Sequence, residues 1–410
     1  MVLLSALRTP SLFRRIRRYR AIIFLLALFT LILEPLHHVR TAYPVHRPDR
    51  RLDPPAHDSC VDPYLEASTT PRQSAAIFML ARNSEVDDVV HAVRSLEHRF
   101  NRWFGYPWVF LNDQAWTDEF KERVGAEIHS GGEVVFDTIE QDMWTWPAHF
   151  GQREKDTARA TWQRMYDAMD EVFQNGTHVT KDSYHHMCRF NSGLFYDHPA
   201  LARYKYYWRV EPGVQFTCAI PYDPFAYMAR HDKKYGYTIA LYEVGKLIPS
   251  LFRATSDFAA ARLPPNMPAM WNAMHEPSWA PWPIRRFLLS RLGSRNAAGD
   301  AWNLCHFWSN FEIADLDFFR SREYREYFDH LDALGGFYYE RWGDAPVHSL
   351  AAAMLLKPEQ IHYFQDIGYM HEPFQHCPVD EGVGCQCDCD KTKHVVPYCL
   401  QRLRQTVEPD

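Results

Sequence analysis

The sequence predicts an α/β protein with an open sheet, and three observations carry this prediction. Residues 75–81 form a short apolar run, residues 86–96 place apolar side chains at helical spacing, and residues 108–111 form a second apolar run. A strand, a helix and a strand in this order are typical of an α/β unit. In addition, the aromatic and apolar stretch 206–210, broken only by Arg209, predicts a buried strand.

The strand that contains Arg209 is predicted to stop before Pro212, which has no N–H for a sheet hydrogen bond. Glu211 is therefore placed at the carboxyl end of a strand. Ligands of open α/β sheets gather outside the carboxyl ends of the strands, and a carboxylate held there by a Pro-Gly turn suits a metal-bound phosphate. Taken alone, Glu211 is also explained as an acid that faces solvent.

The amino-terminal region predicts a membrane anchor. Residues 1–20 contain six arginines and no acid, which is typical of a cytoplasmic tail, and residues 21–36 are apolar except for Glu34. As a helix this run spans about 24 Å, which suits a thin membrane. A cleavable signal peptide is the alternative, but no clear cleavage site follows. We expect an uncleaved signal anchor, an extended polar stem over residues 37–74, and a lumenal domain over residues 75–410.

The remaining elements follow from periodicity and from turn residues. Asn175-Gly176-Thr177 is a glycosylation sequon if this part is lumenal. His185 and His186 are adjacent, so a shared metal is not expected. The predicted elements are a strand at 134–136, helices at 158–173, 244–261, 321–334 and 348–356, strands at 237–242 and 361–364, an irregular loop at 263–283 rich in proline and tryptophan, and an aromatic turn at 368–374.

Composition excludes some classes of function. The formal net charge is −6, from 45 basic and 51 acidic residues, so the basic excess of a nucleic-acid-binding protein is missing. Aromatic residues make up 15% of the chain, which suits a sugar-binding cleft but equally a large core. The nine cysteines include a C-x-C-x-C run at 385–389, which favours disulfides in an oxidising lumen over a zinc site. Because nine is odd, at least one cysteine is unpaired or intermolecular.

Three further regions hold candidate site residues. Arg82 follows the first strand, where it is placed to contact a diphosphate or a base, although a plain surface arginine is the alternative. Residues 303–319 interleave polar groups with large aromatics, as in a polar site with an apolar wall. In residues 337–348, Glu340, Arg341 and Asp344 surround Trp342. One or two of these charges are expected to pair structurally, and the others are candidates for sugar hydroxyls.

Four motifs resemble those of the fungal Golgi α-1,2-mannosyltransferase family: YYWRVEPG at 206–213, LCHFWSNFEIAD at 304–315, GGFYYERWGDAPVH at 335–348 and GYMH at 368–371. The resemblance covers roughly residues 75–399. It implies a GT-A type nucleotide-sugar-binding fold with a central mixed sheet flanked by helices, as a single catalytic domain behind an N-terminal signal anchor. It also implies Mn²⁺-dependent transfer of mannose from GDP-mannose, with retention, to the 2-hydroxyl of mannose on O-linked or N-linked glycans of glycoproteins.

The resemblance also implies roles for individual residues. Glu211 and His371 match the metal ligands of the family. Glu312 matches the carboxylate that acts as nucleophile or as stabiliser of the oxocarbenium-like centre, so double displacement and same-face attack both stay open. Asp344 matches a second acid of the site, and Tyr184 matches a tyrosine near the phosphates and the acceptor. Glu312, Asp344 and Tyr184 form the predicted catalytic set. Tyr184, Asp344 and Arg341 form the predicted substrate-binding set, to which Arg82 is added from its position after the first strand.

The resemblance places the protein in the Golgi membrane as a single-pass type II protein, where a mannosyltransferase complex is a candidate partner. Two alternatives are mannosylphosphate transfer to the same glycans and a non-catalytic mannan-binding role. One departure is the region 263–300, which is longer than expected for the family. That difference leaves the acceptor undetermined and does not affect the predicted chemistry.

Overall fold

The computed structural model describes residues 10–43, 60–169, 179–264, 268–380, 382–395 and 399. The sequon at Asn175 and the end of the helix predicted at 158–173 lie outside these residues. The strands are β1 (Ala75–Leu80), β2 (Trp108–Asn112), β3 (Val134–Thr138), β4 (Tyr206–Arg209), β5 (Gln215–Phe216), β6 (Tyr235–Tyr237), β7 (Ala240–Tyr242), β8 (His275–Glu276), β9 (Ala301–Trp302), β10 (Cys305–Phe307), β11 (Glu312–Asp315), β12 (Ile361–Tyr363), β13 (Tyr369–His371) and β14 (Phe374–His376).

The helices surround a central sheet. The α-helices of the described residues are Pro10–Leu28, Glu34–Thr41, Pro63–Thr69, Val86–Leu96, Arg102–Phe104, Asp118–Gly125, Gln152–Asp167, Asp182–Gly193, Pro199–Ala202, Pro224–Arg230, Leu251–Arg262, Ala269–Ala273, Trp282–Phe287, Leu316–Phe319, Arg322–Leu334, Gly336–Tyr339 and Asp344–Leu355. Two π-helical turns are Phe29–Leu33 and Glu97–Asn101. The 3₁₀ turns are Asn83–Glu85, Phe195–Asp197, Gly245–Leu247, Leu289–Arg291, Pro358–Gln360 and Lys391–Lys393.

The central sheet has seven strands in the order β12-β6-β11-β4-β1-β2-β3. Its strands are parallel except for β11, which runs antiparallel to both β4 and β6. The predicted mixed sheet is therefore confirmed. Alternate residues of β1 enter two different cores, with Phe78 on one face of the sheet and Ile77 and Met79 on the other. Burial on both faces explains why the central strands have nearly continuous apolar sequences.

Three local predictions were wrong. The region 263–283 contains the helix Ala269–Ala273 and the start of the helix Trp282–Phe287, because Pro268 and Pro283 lie at helix starts, where a missing N–H costs nothing. The predicted strand 237–242 is two strands, and only its first part, within β6, joins the central sheet. The helix predicted to open at His348 begins at Asp344, with Pro346 in its first turn.

The amino-terminal segment is helical from Pro10 to Thr41, and its stretch Tyr19–Thr41 is long and apolar enough to cross a membrane. This confirms the predicted apolar helix and is consistent with a type II anchor. The region predicted as an extended stem is partly helical, since one helix continues to Thr41 and another forms at Pro63–Thr69.

Four disulfides involve the carboxyl-terminal tail, and three of them join it to earlier parts of the chain. They join Cys60 to Cys385, Cys218 to Cys387, Cys305 to Cys399 and Cys377 to Cys389. This arrangement confirms the preference for disulfides over zinc, since the sulfurs of Cys218, Cys387 and Cys389 lie close together but are all bonded. The unpaired cysteine required by the odd count is the buried Cys188.

Candidate active site

A cavity of about 440 Å³ opens where β4 ends and β11 begins. Its size is that of pockets that bind small molecules. The helix Asp182–Gly193, the segment before the helix Asp344–Leu355 and the residues leading into β11 complete its wall. The polar and charged residues of the wall are Tyr184, Arg209, Glu211, Glu243, Lys246, His306, Ser309, Asn310, Arg341 and Asp344.

Arg209 lies at the centre of the charges in this wall. Its guanidinium donates to Asp344 Oδ2 and to Glu211 Oε1, each at 2.5 Å, and Ser309 Oγ donates to the same Asp344 oxygen at 2.6 Å. Burial alone would raise the pKa of Asp344, but Arg209 outweighs this effect and leaves that pKa lowered. The structure thus brings the predicted residues Glu211 and Asp344 together through a cation that the sequence analysis did not select.

A second group of charged residues, centred on Arg341, also lines the cavity. Arg341 donates to Glu243 Oε1 at 2.7 Å and to the Tyr184 hydroxyl at 3.1 Å. Its Nε is buried and has no hydrogen-bond partner among the described residues. Burial raises the pKa of the Tyr184 phenol, so this group stays protonated near neutral pH. The predicted residues Tyr184 and Arg341 therefore sit side by side in the cavity wall.

Glu312 lies behind the wall, fully buried on β11 opposite Arg209. The Tyr207 and Tyr235 hydroxyls donate to its two carboxylate oxygens, the second at 2.5 Å, and His348 Nδ1 lies 2.8 Å from Oε2. Burial raises the pKa of the Glu312 carboxyl, while His348 opposes that shift. The carboxylate is thus held from three sides beneath the site.

His371 is brought beside the cavity by the small sheet of β5, β13 and β14. β13 pairs with β5, which follows the turn after Glu211, and the next register position would put His371 opposite Val214. The imidazole stacks on Trp308 with ring centres 5.4 Å apart, and its Nδ1 lies 2.6 Å from the Asn310 amide nitrogen. Both Trp308 and Asn310 line the cavity.

Arg82 is separate from this group. It precedes the 3₁₀ turn Asn83–Glu85 after β1, its side chain is 42% exposed, and its guanidinium pairs with Glu85 at 3.6 Å. It lies at the same edge of the sheet as Glu211 but outside the cavity wall.

Several residues of the site were missed from the sequence. Arg209 carried a usable signal, because it is the single charge in a buried aromatic strand and a buried cation needs acidic partners. Ser309 and Asn310 lie in the block 303–319, which was identified as a whole and not residue by residue. Glu243 carried no signal, since its partner Arg341 lies in a distant part of the chain.

Comparison with known proteins shows to which family the chain belongs. A family model described as glycolipid 2-alpha-mannosyltransferase matches residues 52–402. The O-glycoside alpha-1,2-mannosyltransferase homolog 4 of Schizosaccharomyces pombe is 43% identical over 365 residues, which are 84% of this chain and 79% of that protein. The glycolipid 2-alpha-mannosyltransferase of Saccharomyces cerevisiae is 41% identical over 326 residues, covering 78% of this chain and 67% of that protein.

Solved structures agree with the sequence comparison. Core-mannan synthase A from Aspergillus fumigatus, in its Mn/GDP form, superposes with a TM-score of 0.68 at 35% identity, covering 88% of this chain and 94% of that chain. The mannosyltransferase Ktr4p from S. cerevisiae in complex with GDP gives 0.68 at 33% identity, covering 92% and 89%. Because the match spans the sheet, the cavity and the disulfide-bonded tail together, this chain belongs to the glycolipid 2-alpha-mannosyltransferase family and is an α-mannosyltransferase.

Proposed function

We propose that this enzyme transfers mannose from GDP-mannose to the 2-hydroxyl of mannose on O-linked or N-linked glycans of glycoproteins, with retention. The observation that carries the proposal is the cavity at the end of β4, where Glu211 and Asp344 converge on Arg209. The relatives named for α-1,2-mannosyl transfer and the related structures with GDP support the same donor and bond.

The residues beside the cavity fit a Mn²⁺ ion, as in the Mn/GDP form of core-mannan synthase A. Glu211 and His371 would hold it, since Mn²⁺ accepts both carboxylate oxygen and imidazole nitrogen. The contact between Asn310 and His371 Nδ1 would orient the ring with its Nε2 available. Asn310 Oδ1 is buried and has no hydrogen-bond partner in the part of the chain that the structure describes. When bound, the ion would offset the negative charge of the departing GDP.

The other side chains would position the two sugars. Asp344 accepts hydrogen bonds and keeps its charge because of Arg209, so it suits a mannose hydroxyl. The protonated Tyr184 phenol and Arg341 would donate to phosphate or acceptor oxygens. Arg82, at the same sheet edge, is proposed as a nucleotide contact outside the cavity.

The surroundings of Glu312 favour charge stabilisation over covalent catalysis. A nucleophile must reach the anomeric carbon with a free oxygen lone pair. Glu312 is fully buried and bonded by Tyr207, Tyr235 and His348. We therefore propose same-face attack, in which the departing phosphate takes the acceptor proton and Glu312 contributes negative charge beneath the reaction centre.

The decisive experiment is turnover by the purified full-length enzyme with GDP-mannose, Mn²⁺ and a panel of methyl mannoside, O-mannosyl and N-linked oligomannose acceptors. GDP release with a new α-1,2 bond, identified by linkage analysis, is the expected result. A phosphodiester in the product would establish mannosylphosphate transfer instead. Absence of GDP release with every acceptor would contradict the proposal and favour a mannan-binding role.

The proposed location is the Golgi membrane, with residues 1–20 cytoplasmic, residues 21–36 in the bilayer, a stem over 37–74 and the domain 75–410 in the lumen. The apolar helix Tyr19–Thr41 supports the anchor, and the six arginines of residues 1–20 support this orientation. Glycosylation of Asn175 in intact cells, together with protection of the domain from protease in sealed vesicles, tests it. A complex with other mannosyltransferases belongs to the same proposal and is tested by co-purification.

A further inference from the structure

The end of the apolar helix is bound to the region 263–300 of the domain. Glu34 Oε2 accepts from the Trp282 backbone N–H at 2.8 Å, and Glu34 Oε1 accepts from Arg285 Nη2 at 2.5 Å. The Arg285 side chain is only 5% exposed, so this ion pair is shielded from solvent. The helix and the segment that begins near Trp282 are thus joined at Glu34.

A second set of contacts lies one turn further along the helix and just beyond its end. His38 Nε2 lies 2.9 Å from Asp300 Oδ1, and the Tyr43 hydroxyl donates to Asp300 Oδ2 at 2.9 Å. The Tyr43 ring stacks on His275 with a centroid distance of 3.9 Å. Two separated contact points fix both the position and the direction of the helix relative to the domain.

The exposure of the helix changes where these contacts begin. Residues 21–33 are almost all exposed, whereas Glu34, Leu36 and His38 are half-buried and Pro35 is buried. Residues 21–33 would span about 20 Å, less than the roughly 30 Å of a typical hydrocarbon core. Glu34 lies near the end of the proposed bilayer segment 21–36, so if this helix is the anchor, Glu34 and its partners Trp282 and Arg285 lie at the edge of the bilayer.

The surface next to this point is strongly apolar and basic. We call it the interfacial patch, residues 279–292. Residues 277–299 contain four arginines and no acid, and Arg286 and Arg291 are exposed. Tryptophan and arginine beside exposed aliphatic side chains are typical of segments that lie in the membrane interface. The large apolar side chains of the patch are Trp279 (63% exposed), Trp282 (52%), Ile284 (45%), Phe287 (57%), Leu288 (61%) and Leu292 (45%).

The backbone under the patch is held in place. Arg253 Nη1 donates to Ser290 O at 2.6 Å and to Arg295 O at 3.3 Å. The Ser278 N–H donates to Asp300 at 2.8 Å, and Arg285 Nη1 donates to Ala280 O at 3.0 Å. The apolar side chains are therefore presented on a fixed support, and their exposure is not explained by a loose loop.

We propose that the interfacial patch is a second membrane contact of this enzyme, which lies in the headgroup region of the bilayer that the anchor crosses. The proposal rests on the proposed anchor. The contact with Glu34 places the patch at the membrane surface. Lipid then buries the apolar side chains of the patch. Helix and patch together hold the catalytic domain close to the bilayer in one orientation.

Photocrosslinking of the full-length protein in its membranes tests the proposal. A diazirine amino acid replaces Phe287 in one variant and Leu288 in another, and lipid adducts are measured by mass spectrometry after illumination. Phe24 in the apolar helix is the positive control. Leu334, 49% exposed at the end of the helix Arg322–Leu334, is the matched control away from the patch.

We expect lipid adducts at Phe287 and Leu288 in about tenfold excess over Leu334, because only the patch lies among lipids. Adducts at Phe24 without such an excess at Phe287 and Leu288 overturn the proposal, as does crosslinking of both patch positions to another protein in place of lipid. If Phe24 also yields no lipid adduct, the proposed anchor fails and this inference fails with it. None of these results bears on mannosyl transfer. The proposed membrane contact and the proposed enzymatic function can therefore be rejected independently.

Discussion

Arg209 shows why single residues of this site must be considered with their partners. A buried cation is costly unless carboxylates pair with it, and Asp344 and Glu211 both do so at 2.5 Å. Burial lowers the pKa of the Arg209 guanidinium, but the two acids outweigh this effect and leave the pKa raised. The charges of the site therefore depend on one another.

Replacing Arg209 with methionine is expected to destabilise the enzyme by about 3–5 kcal/mol, because two acids lose their buried partner. The stability that Asp344 contributes exists above its unfolded pKa and is lost as pH falls through its lowered folded pKa. Without Arg209, burial raises that folded pKa, so the acid limb of stability moves to higher pH. Thermal unfolding of the full-length protein at several pH values measures both effects.

The matched control is Arg325→Met, which breaks the exposed pair with Asp197. An exposed ion pair contributes about 0–1 kcal/mol, so this variant should unfold close to the wild-type temperature. Equal losses of unfolding free energy in the Arg209 and Arg325 variants would show that the buried ion pairs stabilise the enzyme no more than an exposed one.

Replacing Glu211 with glutamine or His371 with alanine tests the proposed metal ligands. Each change removes one ligand, so we expect Mn²⁺ affinity to fall by at least about 10- to 100-fold. Half-maximal Mn²⁺ for GDP release and direct titration of Mn²⁺ by electron paramagnetic resonance measure the effect. Glu372→Gln, an exposed neighbour of His371, should leave both values unchanged. Unaltered Mn²⁺ affinity in the Glu211 and His371 variants would contradict the assignment.

At the scale of elements, β4 and β11 set the chemistry. Their antiparallel register pairs Glu312 with Arg209. Arg209 and its partners line the cavity, whereas Glu312 is fully buried behind the wall. Three hydrogen-bond partners from two other strands and one helix surround Glu312. The sheet therefore holds a negative charge below the site without opening it to solvent.

Glu312→Gln keeps the shape of this residue but removes its charge. Because burial raises the pKa of the Glu312 carboxyl, the neutral amide should cost little stability. We expect kcat to fall by about 10²- to 10³-fold, as when a preorganised electrostatic group is removed. Intact-mass measurement of the wild type with GDP-mannose and no acceptor should show no mannosyl adduct. A mannose trapped on Glu312 would instead establish double displacement.

Elements buried on both faces could be predicted from the sequence, and those that depend on distant contacts could not. The strands at 75–81, 108–111 and 206–210 were identified because two cores require continuous apolar side chains. The helices near Pro268 and Pro283 were missed because proline was taken as a breaker where it starts a helix. Arg209 finds Asp344 across 135 residues, a separation that no local pattern encodes.

Disulfides hold the carboxyl-terminal tail in place. The bond from Cys60 to Cys385 joins residues 325 positions apart. Its loss therefore raises the conformational entropy of the unfolded chain. We expect the double variant Cys60→Ser, Cys385→Ser to lose about 2–5 kcal/mol of unfolding free energy, measured by denaturant titration. Cys188→Ala, which removes a buried but unpaired cysteine, is the control and should lose less. A larger loss from Cys188 would refute the structural role of the bond.

At the scale of the whole molecule, one sheet carries the cavity and one surface region binds the apolar helix. The region 263–300 was singled out from the sequence for its unusual length, and in the structure it supplies Trp282, Arg285 and Asp300 to that helix. The family likeness could be predicted from motifs, whereas this attachment could not, because it joins residues more than 200 positions apart. This region therefore holds the apolar helix against the domain.

Asp300 is the central acceptor of that attachment and gives the last prediction. It is buried and receives His38, Tyr43 and the Ser278 N–H. Asp300→Asn removes the charge, and the loss of about 1–3 kcal/mol of local stability should accelerate amide exchange in residues 36–43 by about 10- to 100-fold. Hydrogen exchange with mass spectrometry of the full-length protein in lipid nanodiscs measures it. Asp257→Asn, which removes the charge of an exposed acid paired with the half-buried Arg253, should leave exchange there unchanged. Equal exchange in both variants would mean that the helix is not held through Asp300.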